Sequence, residues 1–379
     1  MHLQLNEDQK MIQESARDFA VKFVAPKAKE LDETQKFPTE LVGQAAEMGF
    51  MGVAIPEQYG GSGLDYVSYC CVIEEVARYC GSTSVILSVN NSLACEPLMI
   101  AGTEEQKKEW LTPLASGQKL GCFGLTEPNS GSDCGSMKTN AVKKGNDWVI
   151  NGAKIWITCG TDSDTFIVFT STDAAAGNRG ITAFIMDRST PGLSVLPMHG
   201  KMGIRASGLS ELVFEDVVIP DSQRLGEENK GFKIAMNTLN SGRIGIAAQA
   251  VGISRGAFEE SAKYAQQRVQ FGKPISRQQS VANHIADMAV QIDAARLLTW
   301  KAASMKDHGQ NYSTVSAMAK MKAGECVSWV TNKAVQVHGG YGYIKEYDVE
   351  RFFRDGRICE IYEGTTEIQK LVVSRAVLG

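Results

Sequence analysis

Near the C-terminus, the run Ile361-Tyr362-Glu363-Gly364-Thr365-Thr366-Glu367-Ile368-Gln369 sets one carboxylate, Glu363, directly before a glycine, with no neighbouring base to pair with. Glycine reaches backbone conformations that other residues avoid and lets a ligand approach the main chain closely. A carboxylate on such a turn can face a substrate while adjacent N–H groups meet a developing negative charge. That combination suits removal of a proton α to a carbonyl, where a base and an oxyanion stabiliser must converge. Alone, a Glu-Gly pair reads more readily as a surface glutamate ahead of a helix C-cap.

Other segments keep it company. Phe123-Gly124-Leu125-Thr126-Glu127-Pro128-Asn129-Ser130-Gly131-Ser132-Asp133 offers three hydroxyls and many free backbone N–H groups in a turn-rich loop. Such a loop can cradle a phosphate or the polar edge of a ring system; the plain alternative is a surface loop. Trp156-Ile157-Thr158 ends a strand with an aromatic plane beside a hydroxyl, and Gln336-Val337-His338-Gly339-Gly340-Tyr341-Gly342 closes a long helix with glycines. His338 by itself reads as a satisfied polar residue. No Walker A sequence, no dinucleotide-binding G-x-G-x-x-G after a strand and no H-E-x-x-H is present. The one G-x-S-x-G, Gly252-Ile253-Ser254-Arg255-Gly256, lies within a helical pattern rather than between strand and helix, the wrong context for a nucleophile elbow.

The elements that must position these residues follow from periodicity. Ile12, Ala16, Phe19 and Phe23 recur at helical spacing behind Asn6, an N-cap with Gln9 three residues on. Pro38-Thr39 opens a second helix that stops by Gly49, Asp65 to Arg78 reads as a third, and Thr103-Glu104-Glu105-Gln106 is a further capping box. Gly60-Gly61-Ser62-Gly63 is a connecting loop. From Gly121 to about Pro220 come short β-rich runs: 147–152, 166–169, 181–186 and 212–214, with Asn151-Gly152 a hairpin signal. After Gly231, long helices are expected over about 232–268, 277–305 and 313–338, the signature of a bundle. The predicted fold is α+β, mainly α: an N-terminal helical domain (1–120), a middle antiparallel β-barrel or sandwich (121–225) and a C-terminal four-helix bundle (226–379).

At 379 residues the chain exceeds one ordinary core. Lys and Arg total 39 against 43 Asp and Glu, a net charge of −4 with no basic patch, which argues against a nucleic-acid partner. Nine cysteines without metal or redox spacing read as reduced, buried thiols. The start, Met1-His2-Leu3-Gln4-Leu5-Asn6-Glu7-Asp8, lacks the marks of a signal or transit peptide, and no apolar run reaches the roughly 18 residues that span a bilayer. The expectation is a soluble intracellular protein without membrane insertion, cytoplasmic if bacterial and in the mitochondrial matrix if a processed eukaryotic chain.

The loop at 123–133, Trp156-Ile157-Thr158, Arg268-Val269-Gln270-Phe271-Gly272, the 336–340 segment and the 361–369 segment occur in the order found in the acyl-CoA dehydrogenases, which the chain resembles over essentially its whole length. Ser88-Val89-Asn90-Asn91-Ser92-Leu93 and Phe232-Lys233-Ile234-Ala235-Met236 resemble the short-chain, butyryl-CoA type. The resemblance implies FAD held between the β-domain and the bundle. Phe123, Leu125, Thr126, Gly131 and Ser132 would line the flavin and pyrophosphate; Trp156, with Ile157 and Thr158, would pack against and hydrogen-bond the isoalloxazine. Arg268, Gln270, Phe271 and Gln279, with Gln336, Val337, Gly339 and Gly340, would hold the adenosine diphosphate half, partly across a subunit interface, and Thr365 and Glu367 would complete the cofactor contacts. Ser132, Asn240, Arg243 and Gly364 would contact the acyl-CoA. Glu363, raised in pKa by burial, would take the α-proton to give a trans-2-enoyl-CoA, with electrons passing to electron-transfer flavoprotein from a homotetramer.

Four positions depart from the family pattern: Asn129-Ser130 in place of small residues including glycine, Cys159 in place of Asn, and Asn240 in place of Asp. Other readings on the same scaffold are an oxidase reoxidised by oxygen, a dehydrogenase of branched short-chain acyl-CoA, and a helical binding protein without turnover.

Overall fold

The structure, a computed structural model, describes residues 4–379; the start at 1–3, read above for the lack of a leader, lies outside them. Helix α1 (Glu7–Phe19) opens on the expected reciprocal cap: Asn6 Oδ1 accepts from the Gln9 N–H at 2.8 Å and Gln9 Oε1 from the Asn6 N–H at 3.0 Å. α2 (Ala28–Thr34) and α3 (Thr39–Glu47) follow, then α4 (Tyr66–Ala77), capped by Asp65. α5 (Gly81–Val89), a π-helical turn at Asn90–Cys95 and α6 (Glu96–Ala101) form one continuous rod, and α7 (Glu104–Gln106) and α8 (Thr112–Ala115) complete the helical first third. The rod Gly81–Ala101 corrects the sequence reading: its 21 residues are long and apolar enough to cross a bilayer. The correction has a plain cause, since 83% of its apolar window is buried inside the protein, so the composition serves the core.

Strands β1 (Gly121–Gly124), β2 (Asn140–Lys144), β3 (Asp147–Thr158), β4 (Thr165–Ser171), β5 (Ile181–Asp187), β6 (Leu193–Pro197), β7 (Leu209–Pro220) and β8 (Arg224–Leu225) form one sheet in the order β6-β7-β3-β2-β4-β5-β8. Its ladders are antiparallel except where β1 runs parallel beside β4 and where β2 touches β4 at Asn140 and Ser171. Every residue of β4 is buried because both faces are covered. Phe166 and Val168 pack with Trp148, Phe184 and Phe214, while Ile167 and Phe169 pack against Leu98, Leu111, Ile234 and Ala235 of the helices.

The hairpin signal at Asn151-Gly152 does not make a turn. The β2–β3 reversal falls at Gly145-Asn146, and Gly152 sits mid-strand in a register shift with φ +138°. A side chain there would drive into Thr139, the residue just before β2, whose hydroxyl exchanges hydrogen bonds with the Ala153 backbone. The pair is therefore a bulge.

The last third is the expected set of long helices. α9 (Gly231–Gln267) leads through the two-stranded hairpin β9 (Val269–Gln270) and β10 (Lys273–Pro274) to α10 (Gln279–Asp307) and α11 (Ser313–His338). These pack on one another, with α12 (Val349–Gly356) and α13 (Thr366–Leu378) against α11, and α4 against α9. Ser254, the candidate elbow serine, donates to the Ala250 carbonyl within α9, as any helical serine does. All nine cysteines are free thiols, and only Cys134 is not fully buried.

Candidate active site

A cavity of about 780 Å³ opens where the end of β3, the loop after β1 and the 201–209 segment meet α9 and the chain between α12 and α13. Thr126, Gly131, Ser132, Trp156, Ile157, Thr158, Arg243, Glu363, Gly364 and Thr365 line it, together with Phe123 and Leu125. Twelve of the expected residues, remote in sequence, thus meet at one place.

A second irregularity in β3 explains how the aromatic plane reaches the cavity. Between Lys154 and Ile157 the ladder to β7 slips, Trp156 takes φ +62°, and its indole stands 58% exposed while Ile157 turns into the core. Lys154, two residues before Trp156, points the other way and is fully buried. Its ammonium donates to the Leu125 carbonyl at 3.1 Å and to Glu127 Oε1 at 2.7 Å, and Glu127 also accepts from the Lys138 and Thr139 N–H groups. Desolvation brings Lys154 down to about 8, although Glu127 opposes the shift; Glu127, with burial outweighed by Lys154 and two N–H donors, lies below the usual carboxylate range. This pair fastens the loop from beneath. Sequence reasoning saw the loop and missed the clamp; the signal was a lysine at an inward position of a strand.

Within the loop, Glu127 and Ser130 exchange backbone hydrogen bonds at 3.0 and 3.1 Å, and the Ser130 hydroxyl donates to the Asp133 carbonyl. The Asn129-Ser130 departure therefore spends one of the three hydroxyls on closing the loop. The hydroxyls of Thr126, Ser132 and Thr158 have no partner among the described residues, and Gly131 leaves open space where a side chain would stand. An exposed indole plane, three free hydroxyls and a loop shaped to admit main-chain contact fit a flat, polar-edged ring system such as the isoalloxazine of FAD.

Opposite them stands Glu363. The turn before α13 holds it at φ +51° and Gly364 at φ +91°. A non-glycine residue in the left-handed region is uncommon and marks a constrained, often functional position. Its N–H has no acceptor among the described residues, and its carboxyl Oε2 is shielded from solvent without a partner. Burial raises the Glu363 pKa to about 8, with Lys320 and then Arg243 opposing the rise. Part of the residue remains exposed, yet the carboxyl oxygen itself is shut in, so desolvation acts where the charge would sit. Gly242 of α9 faces this carboxylate, and a Cβ there would overlap it. Arg243 donates to Asn240 Oδ1 at 2.8 Å, so the Asn240 departure still orients the arginine although Asn240 does not line the cavity.

The remaining expected residues lie elsewhere. Arg268, Gln270, Val337, Gly339 and Gly340 line a second cavity of about 540 Å³ with Tyr264, His338 and Tyr341. There the Arg268 guanidinium lies 5.3 Å from the Tyr341 ring centre, and His338 stacks on Tyr264 at 4.3 Å. His338 Nδ1 meets the Ala334 carbonyl while Nε2 is buried without a partner, so the residue is only half satisfied. Phe271, 92% exposed at the hairpin tip, Gln279, Gln336 and Glu367 line neither cavity. Cys159, the alternative nucleophile, is fully buried and its thiol is pushed far up by desolvation.

Comparisons with known proteins agree with this geometry. The acyl-CoA dehydrogenase N-terminal, middle and C-terminal domains match residues 6–118, 122–217 and 229–378. A short-chain specific acyl-CoA dehydrogenase of Clostridium acetobutylicum is 48% identical over 374 residues, covering 99% of both chains. The three-dimensional structure of butyryl-CoA dehydrogenase from Megasphaera elsdenii is 45% identical with a TM-score of 0.98 over the whole of both chains. A chain from the structure described as electron transferring flavoprotein of Acidaminococcus fermentans is 46% identical with a TM-score of 0.99, again over both whole chains. With three matched domains spanning nearly all its residues, this chain is a member of the acyl-CoA dehydrogenase family.

Proposed function

We propose that this oxidoreductase catalyses FAD-dependent α,β-dehydrogenation of short-chain acyl-CoA thioesters to trans-2-enoyl-CoA and passes the electrons to electron-transfer flavoprotein. The observation that carries the reading is the Glu363 carboxyl: shielded, unpartnered, raised to about 8 and opposite Trp156 and Thr158 in one cavity. FAD, when bound, supplies the acceptor for the β-hydrogen and its electron pair. The chain supplies the rest. Glu363 removes the α-proton, and its own N–H, without an acceptor among the described residues, donates to the thioester oxygen as negative charge gathers there. A carboxylate with a pKa near the working pH is a stronger base than one at about 4.3 while still ionised in useful proportion.

Thr126, Ser132 and Thr158 are the hydroxyls for the ring edge, Trp156 its stacking plane, and Phe123, Leu125, Gly131 and Ile157 its wall and floor. Arg243 and Gly364, with Asn240 behind Arg243, are assigned to the acyl-CoA. Arg268, Gln270, Phe271, Gln279, Gln336, Val337, Gly339, Gly340, Thr365 and Glu367 are assigned to the rest of the cofactor. The spread of this set over a second cavity, an exposed hairpin tip and positions outside both cavities supports assembly into a homotetramer in which neighbouring subunits complete each cofactor site. The three parts of the fold are read as domains at 1–120, 121–225 and 226–379. The near-identity in shape to a chain from an electron-transferring flavoprotein structure supports that protein as the acceptor.

The test is direct. Purified protein should be yellow and should bleach with butyryl-CoA under anaerobic conditions, and Glu363→Gln should stay yellow and lose several orders of magnitude in that rate. Failure of the wild-type protein to bleach would overturn the reading.

A further inference from the structure

Lys320 is a lysine where helix geometry calls for an apolar residue. It lies on the inward stripe of α11 with Ser316, Ala323 and Val327, and it is fully buried. It makes no ion pair among the described residues. Its recorded contact is a hydrogen bond of 2.6 Å from Nζ to the carbonyl of Gly364, the residue that follows Glu363. Burying an ammonium without a counter-ion is costly, and desolvation brings Lys320 down to about 8. The same turn is held from the other side by Gln369, whose amide donates to the Glu363 and Gly364 carbonyls at 3.3 and 3.0 Å. A neutral amide therefore suffices to pin this backbone, and a buried charge is more than the fold requires.

We propose that Lys320 is a positioning residue for the dehydrogenation: its ammonium grips the Gly364 carbonyl, fixes the left-handed turn that presents Glu363, and supplies the positive charge that keeps the neighbouring carboxyl available as a base. The inference rests on the reading of Glu363 as that base. The other groups around the carboxyl do not substitute for it. Arg243 of α9 acts on Glu363 more weakly than Lys320 and is tied to Asn240. Tyr69 of α4 and Tyr362 are phenols held protonated by burial, and Cys359 is a thiol pushed up to about 12. Glu360, which pairs with Arg357, carries the wrong sign. Without Lys320 the carboxyl would hold its proton to higher pH.

The experiment compares Lys320→Gln, Lys320→Met and Lys320→Arg in the FAD-loaded enzyme. Two readouts are followed against pH: anaerobic bleaching by butyryl-CoA, and infrared titration of the protonated carboxyl band, assigned to Glu363 by its loss in Glu363→Gln. Gln retains a donor for the Gly364 carbonyl and removes the charge. In that variant both midpoints should move up by about one pH unit, so that bleaching at pH 7 falls about tenfold and recovers toward wild type at high pH. Lys320→Arg should keep the wild-type midpoint, and Lys320→Met should show the same upward shift with a lower plateau. Unchanged midpoints in Lys320→Gln, or an equal loss of rate at every pH, would leave Lys320 a structural lysine and overturn the proposal. The infrared titration keeps the two claims apart: a wild-type enzyme that does not bleach sinks the base assignment, whereas bleaching without a midpoint shift sinks only the role of Lys320.

Discussion

Gly242 leaves free the space that the Glu363 carboxylate fills: a Cβ on residue 242 would overlap Oε2 and lie 3.0 Å from Leu93 Cδ2. Both neighbours are side-chain ends, and the closer, the Glu363 carboxylate, must move while the turn that carries it stays in place. Gly242→Ala should therefore push the carboxyl out of line with the substrate while leaving the distant Trp156 and loop contacts intact. The expected result is normal FAD content and a fall of roughly 10- to 100-fold in the bleaching rate, since about 1 Å of misplacement costs on that order. Unchanged bleaching in single-turnover kinetics would show that the carboxyl has slack the structure does not reveal.

The raised Glu363 pKa has two consequences with defined sign. Catalysis needs the ionised form, so bleaching should rise with pH and level off above about 8. Stability runs the opposite way. The folded protein holds this proton to about 8 and the unfolded chain releases it near 4.3, so between those values the native state binds more protons and stability falls as pH rises. The loss is roughly 1.4 kcal/mol per pH unit across that window. Glu363→Gln removes it. Its Tm relative to wild type should climb from pH 5 to pH 8 and then stay level, and a difference independent of pH would contradict the shift.

Lys154 and Glu127 predict a defect in cofactor retention rather than in proton transfer. Lys154→Met leaves Glu127 buried with two N–H donors and no counter-charge, a change on the order of 3–5 kcal/mol for a buried pair broken on one side. The loop carrying Thr126 and Ser132 should loosen, FAD should dissociate more readily, and the pH midpoint for Glu363 should not move. Adding Glu127→Gln should recover part of the lost Tm. FAD affinity by fluorescence and Tm by calorimetry would separate this from a global effect.

The long helices were legible because periodicity needs no partners: the segments expected at 232–268, 277–305 and 313–338 are α9, α10 and α11 within two residues at each end. Glu363 was singled out by its glycine together with the other motifs in their order, and the loop by its turn residues. What failed depended on tertiary approach. Asn151-Gly152 carries local turn chemistry, yet the nearness of Thr139 makes it a bulge. The Gly81–Ala101 run is apolar because of where it lies, which no window of sequence reports. Lys320 and Lys154 each sit on an inward stripe, a visible signal, but what each ammonium touches is set by segments 44 and 27 residues away.

Phe271 should report assembly. A phenylalanine 92% exposed at a hairpin tip, near the cavity that Arg268 and Gly339 line, is placed to meet another subunit in the proposed tetramer. Phe271→Ser should shift the mass measured by light scattering downward and lower FAD content together, because a ligand shared between subunits stabilises the assembled state. A wild-type, FAD-loaded monomer would refute the tetramer.

Chain-length preference follows from what closes the cavity near the base. Val89 and Leu93 come from the buried rod, Met236 and Leu239 from α9, and Tyr362 adjoins Glu363. Tyr362 is tied by its hydroxyl to Gln249 of α9, and Gln249 donates to the Gly81 carbonyl at 2.8 Å, so this side of the wall is braced to the core. Each further methylene that finds apolar room contributes about 0.8 kcal/mol, roughly fourfold in kcat/KM. A methylene forced against a braced wall instead costs about 1–3 kcal/mol. Activity should rise from three carbons to four or five and fall by eight. Leu93→Ala should move the maximum toward longer chains, because it enlarges the space beside Gly242 without touching the base. The measurement is kcat/KM across straight and branched acyl-CoA thioesters with an artificial electron acceptor. A maximum at eight carbons, or on isovaleryl- or glutaryl-CoA, would reject the short straight-chain preference and leave the family membership untouched.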